Sequence, residues 1–201
     1  MTRATYHHGD LPHALVAAAV VLAREGGPDA VVLREVARRL QVSPAAIYRH
    51  YPDREALLGE VAVSARRDLA RRMLAQADLV VRGPDKCAHS IERFMAIGRG
   101  YLEFADDEPN LLATAFLPIE PPGAIEDPSP WHVLATSLDD LVAAGAMPSE
   151  RREGAEVVVW SAVHGFSVLR SNHAFDTSGQ PHPDPRAILD AIVRSLDIRS
   201  I

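Results

Sequence analysis

Leu33 to Tyr51 reads LREVARRLQVSPAAIYRHY, two short helices joined by a tight turn. Leu33, Val36, Ala37 and Leu40 recur at three- and four-residue spacing, the single apolar stripe of an amphipathic helix. Gln41-Val42 breaks that pattern. Ser43 is then a favoured N-cap, and Pro44 stands at the first helical position, where its missing N–H costs nothing. The helix that follows has one strong aliphatic anchor, Ile47. Around it lie Ala45, Ala46, Tyr48, Arg49, His50 and Tyr51. Small residues let a helix come close to a surface, and Tyr, Arg and His offer donors for phosphates and base edges. A helix built to enter a DNA groove needs this combination. Spacing alone fits an ordinary helical hairpin just as well.

The residue string adds to the spacing. Residues 42–58, VSPAAIYRHYPDREALL, resemble the helix-turn-helix signature of the tetracycline-repressor (TetR) family of bacterial regulators. The matching features are the Ser43-Pro44 start, the run Tyr48-Arg49-His50-Tyr51, and Asp53 to Leu58 opening a long helix. Upstream, YHHGDL at Tyr6 to Leu11 resembles the N-terminal lead-in of one branch of that family. About the first 60 residues carry the close resemblance; beyond them it is mostly architectural. Two positions depart from it. The family usually caps the first helix of the motif with Ser or Thr, paired with an acid three residues on. Val32 stands there instead, which leaves Glu35 without a hydroxyl partner. Gln41 replaces the usual Gly of the turn, and a left-handed backbone there would cost about 1 kcal/mol.

Composition agrees with a helical chain. Of the 201 residues, 47% are hydrophobic and only 5% aromatic, with Ala and Leu dominant, so helix is favoured over strand. No apolar run approaches the roughly 18 residues of a membrane span. The N-terminal MTRATYHHGD is polar and unlike a secretory signal. One cysteine, Cys87, excludes an internal disulfide and a cysteine-based metal cluster, and a reducing cytoplasm is the expected compartment. The net charge of −6 is opposite in sign to DNA-binding needs. However, residues 1–60 hold seven arginines against seven acids, so the excess of acid lies further along. DNA binding would then rest on local placement of Arg34, Arg49 and Arg54.

Taken in order, Tyr6 to Gly9 form an arm and Asp10 can cap a first helix with Leu11, Leu15, Ala18, Ala19 and Leu22 on its apolar face. Gly26-Gly27-Pro28 ends it. Asp53 caps a long helix running to about Ala77. Further helices are expected over about Asp85–Phe104, Pro109–Phe116, Trp131–Ala144, Ser149–Asn172 and Pro185–Leu196. A proline-rich loop spans Pro118 to Pro130, held by Ile119 and Ile125, and a second loop carries Gly179, Pro181, Pro183 and Pro185. The expected fold is all-α, with about nine helices. Residues 1–55 would be a three-helix helix-turn-helix DNA-binding domain with its motif at about 33–51. Residues 56–201 would be a helical effector-binding and dimerisation domain.

The candidate DNA-facing set is Arg34, Ser43, Pro44, Ala45, Ala46, Tyr48, Arg49, His50, Tyr51 and Arg54. Ser43, Ala45, Ala46 and Arg49 would face base edges, while Tyr48, His50, Tyr51, Arg54 and Arg34 would hold phosphates. In the second part, Trp160 and His164 stand four apart on one helix face. The string Trp160-Ser161-Ala162-Val163-His164-Gly165 resembles a C-terminal domain with a Trp-x-x-x-His-Gly motif in one branch of TetR-like regulators. His164 reads either as a core histidine bracing Trp160 or as a donor in an effector pocket. Phe94, Met95, Tyr101, Phe116, Trp131 and Phe166 could line such a pocket with them, and core packing accounts for each equally well.

The closing helix is apolar on two sides: Ile188, Ile192 and Leu196 form one row, Leu189 and Val193 another. One row can face the body and the other a twin subunit, or both can be core. The resemblance implies dimerisation through the last two helices, and two half-sites multiply affinity. No phosphate loop or nucleophile elbow occurs, so no catalytic residue is assigned. His7-His8-Asp10 could hold a metal but sits in a floppy arm, Cys87 and His89 are poorly spaced for shared ligation, and His173 and His182 lack supporting acids, so neither metal nor cofactor is expected. The chain thus reads as a cytoplasmic, sequence-specific transcriptional regulator, a repressor released by a small molecule. It would bind a palindromic double-stranded operator as a homodimer, with no membrane partner. The rivals are a helical enzyme or a protein–protein adaptor with an incidental hairpin, neither of which predicts salt-sensitive DNA binding.

Overall fold

The apolar periodicities resolve into helices throughout. The structure, a computed structural model, describes residues 11–119, 121, 127–176 and 183–199. The arm at Tyr6 to Gly9, the cap at Asp10, the triplet His7-His8-Asp10, Ile125, and Gly179, Pro181 and His182 lie outside them. Nine α-helices, one short 3-10 turn and no strand occur among the described residues, as the all-α expectation requires. No helix among them is long and apolar enough to cross a membrane.

The chain divides into two compact units, Met1–Arg66 with Asn110–Glu126, and Arg67–Pro109 with Asp127–Ile201. In the first unit, α1 (Leu11–Ala30) leaves helical geometry at Gly26 and Gly27, and Gly27 has φ +72°. That angle is open to glycine and strained for other residues, so the helix breaks where Gly-Gly-Pro predicts. α2 (Leu33–Leu40) follows Val32, which makes no side-chain cap. Gln41 then turns left-handed at φ 54°, ψ 36°. The Val42 N–H reaches back to the Ala37 carbonyl at 3.0 Å and closes the turn.

α3 (Pro44–Tyr48) is shorter than its pattern suggests, and the His50 and Tyr51 N–H groups both donate to the Ile47 carbonyl at 2.9 Å. α4 (Arg54–Asp78) starts with the Ala56 N–H on the Asp53 carboxylate at 2.8 Å. Leu15, Val36, Ile47, Leu57 and Val61 are fully buried in this unit. α6 (Pro109–Ala115) begins beside α1, where the Asn110 amide donates to the Arg24 carbonyl at 3.2 Å. Arg66 is buried, with Nη1 on the Ala115 carbonyl at 2.8 Å. Ile119 and Pro121 close against Gly59, where a Cβ would stand 3.0 Å from Pro121 Cδ. The stretch from Asn110 to Pro121 therefore packs with the N-terminal helices, although the sequence reading places it in the second part.

α4 is one continuous helix whose residues from Arg67 belong to the second unit. There, α5 (Lys86–Asp107) is capped by Asp85, whose carboxylate accepts from the Cys87 and Ala88 N–H groups. α5 packs against α7 (Pro130–Ala143), α8 (Ala155–Ser171) and α9 (Pro185–Ser195). Gly100 lets α5 approach the backbone of α4, since a Cβ there would lie 2.8 Å from the Arg72 carbonyl oxygen. Of the polar stretch SERREGAE, only Ala155 and Glu156 open α8, where the sequence suggests the whole run. Ser149–Arg151 forms the 3-10 turn, and Gly154 at φ +73° separates it from the helix.

Candidate nucleic-acid interface

Ile47 decides how α3 is presented. It is 0% exposed, while Tyr48 is 56% exposed. Burying one such aliphatic side chain contributes roughly 1.5–3 kcal/mol, enough to fix the roll of a helix this short. With Ile47 turned in, Ser43, Pro44, Ala45, Tyr48, Arg49 and His50 are all exposed, and Ala46 is half-buried. The Ser43 hydroxyl accepts from the Ala46 N–H at 3.3 Å and sets the start of the helix. Tyr51 is half-buried, and burial, aided by Glu60, pushes its phenol up from the usual range.

The arginines of this unit divide by what they touch. Among the described residues, Arg34 and Arg49 are exposed and have no carboxylate partner. Arg38 donates twice to Glu35, at 2.8 and 2.6 Å. Arg39 bridges Glu25 and Glu35. Arg38, followed by Arg39, holds the Glu35 carboxyl down to about 2. Glu35, lacking a capping partner, is thus used along the face of α2. Arg54 is committed elsewhere: Nε donates to the Val31 carbonyl at 2.8 Å and Nη2 to the Pro28 carbonyl at 2.6 Å. It ties the end of α1 to the start of α4. Contacts across 23 and 26 residues leave no periodic trace in sequence, so this bracing role was not readable there.

In the second unit, the Tyr101 hydroxyl meets His164 Nδ1 at 2.7 Å. Trp160 packs edge-on to Tyr101 at 5.6 Å between ring centres, and Trp131 lies 5.9 Å from Trp160. Burial pushes the Tyr101 phenol up and the His164 imidazole down, so both groups are neutral near pH 7. Phe94, Tyr101 and Trp160 line one small apolar cavity together. Of the other expected pocket residues, His164 and Trp131 adjoin Tyr101 and Trp160. Met95 lines a separate cleft. Trp131 is 44% exposed. Phe166 packs on Phe175. Phe116 belongs to the first unit.

On α9, Leu189, Ile192 and Leu196 are buried within the chain, and Ile188 and Val193 are half-buried. Each expected row thus contributes to the protomer's own core, because α9 lies on α5 and α8. The exposed apolar stripe lies instead on α8, at Val157, Val158, Val168 and Leu169. Gly165 is between them, and a Cβ there would meet nothing within 4 Å. No group of three or more His, Cys, Asp or Glu that could hold a metal occurs among the described residues.

Residues 15–61 match the family described as bacterial regulatory proteins of the tetR family, and residues 94–196 match the tetracyclin repressor-like C-terminal domain. An HTH-type transcriptional regulator of Bacillus subtilis, YobS, is 25% identical over 162 residues, covering 81% of this chain and 80% of YobS. A protein of unknown function from Rhodococcus sp. RHA1 shares the fold with a TM-score of 0.76 at 27% identity, over 96% of this chain and 99% of that one. A TetR transcriptional regulator from Streptomyces coelicolor superimposes with a TM-score of 0.59 at 18% identity, over 92% of this chain and 95% of its own.

Proposed function

The chain belongs to the tetracycline-repressor family and is a DNA-binding transcriptional regulator, and on that premise we propose that it is a homodimeric repressor released by a small molecule. It works in the cytoplasm, on a palindromic operator, and carries no catalytic step. The observation behind this is the roll of α3 about the buried Ile47, which turns Tyr48 and Arg49 outward.

Ser43, Ala45, Ala46 and Arg49 would lie against base edges, with Pro44 beside them. Tyr48, His50 and Arg34 would hold phosphates, and the half-buried Tyr51 would reach one by its hydroxyl alone. Arg54 would act mainly by fixing the helices that carry the others. Phosphate contacts supply affinity that falls steeply with salt, and base contacts supply sequence choice. The exposed apolar stripe of α8 would pair with its twin, Gly165 allowing the two helices to come close. An effector bound in the second unit would act through α4, the helix both units share, and only by its differential affinity for the two arrangements.

A mobility-shift titration with DNA flanking the protein's own gene, run at two salt concentrations, tests this reading. The expected result is a specific complex that weakens sharply at the higher salt. Absence of a complex, or an affinity indifferent to salt, would overturn it.

A further inference from the structure

Two spaces in the second unit share one wall. The first is an apolar cavity of about 30 Å3, with Phe94, Ile97 and Tyr101 of α5, Trp160 of α8 and Ile192 of α9 in its lining. The second is an open cleft of about 970 Å3 between α5 and α9, edged by Met95, Arg99, Arg186 and Asp190. Leu189 lines both. It is only 3% exposed. Its place depends on a hole in α5: a Cβ at Gly98 would stand 2.5 Å from Leu189 Cδ2. A methyl group of α9 therefore fills the volume that any side chain at position 98 would claim.

The lining of the small cavity holds no charged side chain. The Tyr101 hydroxyl at its edge is already engaged with His164. An ionised ligand taken in here would lose its hydration and find no opposite charge. A space of about 30 Å3 holds little more than a water molecule, whereas an apolar cavity of roughly 150 Å3 takes benzene. Occupation therefore requires something to withdraw. Leu189 is the lining side chain that also borders the open cleft, and a leucine side chain swings at low cost once its helix shifts.

We propose that Leu189 is a gate, through which a compact, uncharged, mainly apolar molecule passes from the α5–α9 cleft to the space beside Gly98, under Tyr101 and Trp160. The proposal rests on the reading of the second unit as the effector domain, and it gives that effector a chemical class and a route. Entry displaces α9 by way of Leu189, so α9 is the first element to report the occupant.

Phenol and benzoate test this, since they are alike in size and differ in charge at pH 7. Binding is read from Trp160 fluorescence in a Trp131→Phe background and from the rise in melting temperature. Replacing Leu189 by Ala removes the work of opening the gate, so phenol should bind about tenfold more tightly than to the wild type. Leu189→Val should give a smaller gain in the same direction and serves if the alanine variant does not fold. Benzoate should bind none of the three. Equal binding of phenol and benzoate, or no gain in folded Leu189→Ala or Leu189→Val, would overturn the gate. No DNA is present in these measurements. A failed operator shift with a successful phenol gain would count against the regulator reading alone, and the reverse pair of results against the gate alone.

Discussion

The Tyr101 hydroxyl and His164 Nδ1 lie 2.7 Å apart, joining α5 to α8 beside the edge of Trp160. The residues are 63 positions apart in sequence, and the bond makes His164 a working part of the second unit's core. Removing the hydroxyl with Tyr101→Phe should lower stability by about 0.5–1.5 kcal/mol, the usual net worth of one such bond. Urea unfolding at pH 7.5 would measure it.

The same histidine makes stability fall on the acid side. Burial holds His164 below its ordinary 6.5 in the folded protein, so the unfolded chain binds the proton more readily. Its contribution is complete above pH 6.5 and is lost as pH falls from 6.5 through the depressed folded value. Unfolding midpoints at pH 7.5 and 5.5 should differ less in His164→Gln than in the wild type.

A second acid-side loss lies lower, at Glu35. Hydrogen bonds from Arg38 and then Arg39 hold it at about 2, against an ordinary 4.5. Its contribution is present above pH 4.5 and fades as pH drops from there to about 2. Glu35→Gln should show a flatter decline of unfolding midpoint between pH 5 and 2.5. The histidine window opens at 6.5 and the glutamate window at 4.5, so Glu35→Gln should leave the decline between pH 7.5 and 5.5 as it is in the wild type.

Recognition should divide between Arg49 and Tyr48. If Arg49 forks onto a guanine, Arg49→Ala should cost about 1–3 kcal/mol of discrimination between operator and random DNA. Tyr48→Ala should weaken both alike. Competition titrations with the two DNAs would separate these outcomes, and equal losses for Arg49→Ala would refute the assignment.

Charge on the outward face of α8 should split the proposed dimer. Val158 and Val168 are 47% and 37% exposed in the single chain, so Val158→Asp or Val168→Asp should leave the protomer folded. Sedimentation should show the wild type paired and these variants monomeric, with operator affinity reduced accordingly. A paired Val158→Asp/Val168→Asp double variant would place the interface elsewhere.

Much of the first unit was legible because its signals are local. Ser43, Pro44 and Ile47 specify the start and the roll of α3 within five residues. The missing cap at Val32 and the left-handed turn at Gln41 also stand where the departures from the family's pattern place them. Gln41→Gly should accordingly stabilise the protein by about 1 kcal/mol, measurable by urea unfolding. Other features depend on distant chain. The polar run before Ala155 is rich in helix formers, yet the helix starts only after Gly154, whose φ is positive. On α9, periodicity reveals two apolar rows but cannot say that Leu189, Ile192 and Leu196 are buried within the chain while Ile188 and Val193 are half-buried. For the same reason the sequence alone does not show that Val157 and Val158 stay exposed on the single chain.

The grip of Arg54 on the Pro28 and Val31 carbonyls bears on how a signal could travel. It fastens the corner between α1 and α2 to the first turn of α4, and α3 packs on α2. Whatever pulls on that turn therefore carries three helices together, like a key turned by its bow. Variants at Arg54 should let that block flex, seen as faster amide hydrogen exchange in α1 and α2.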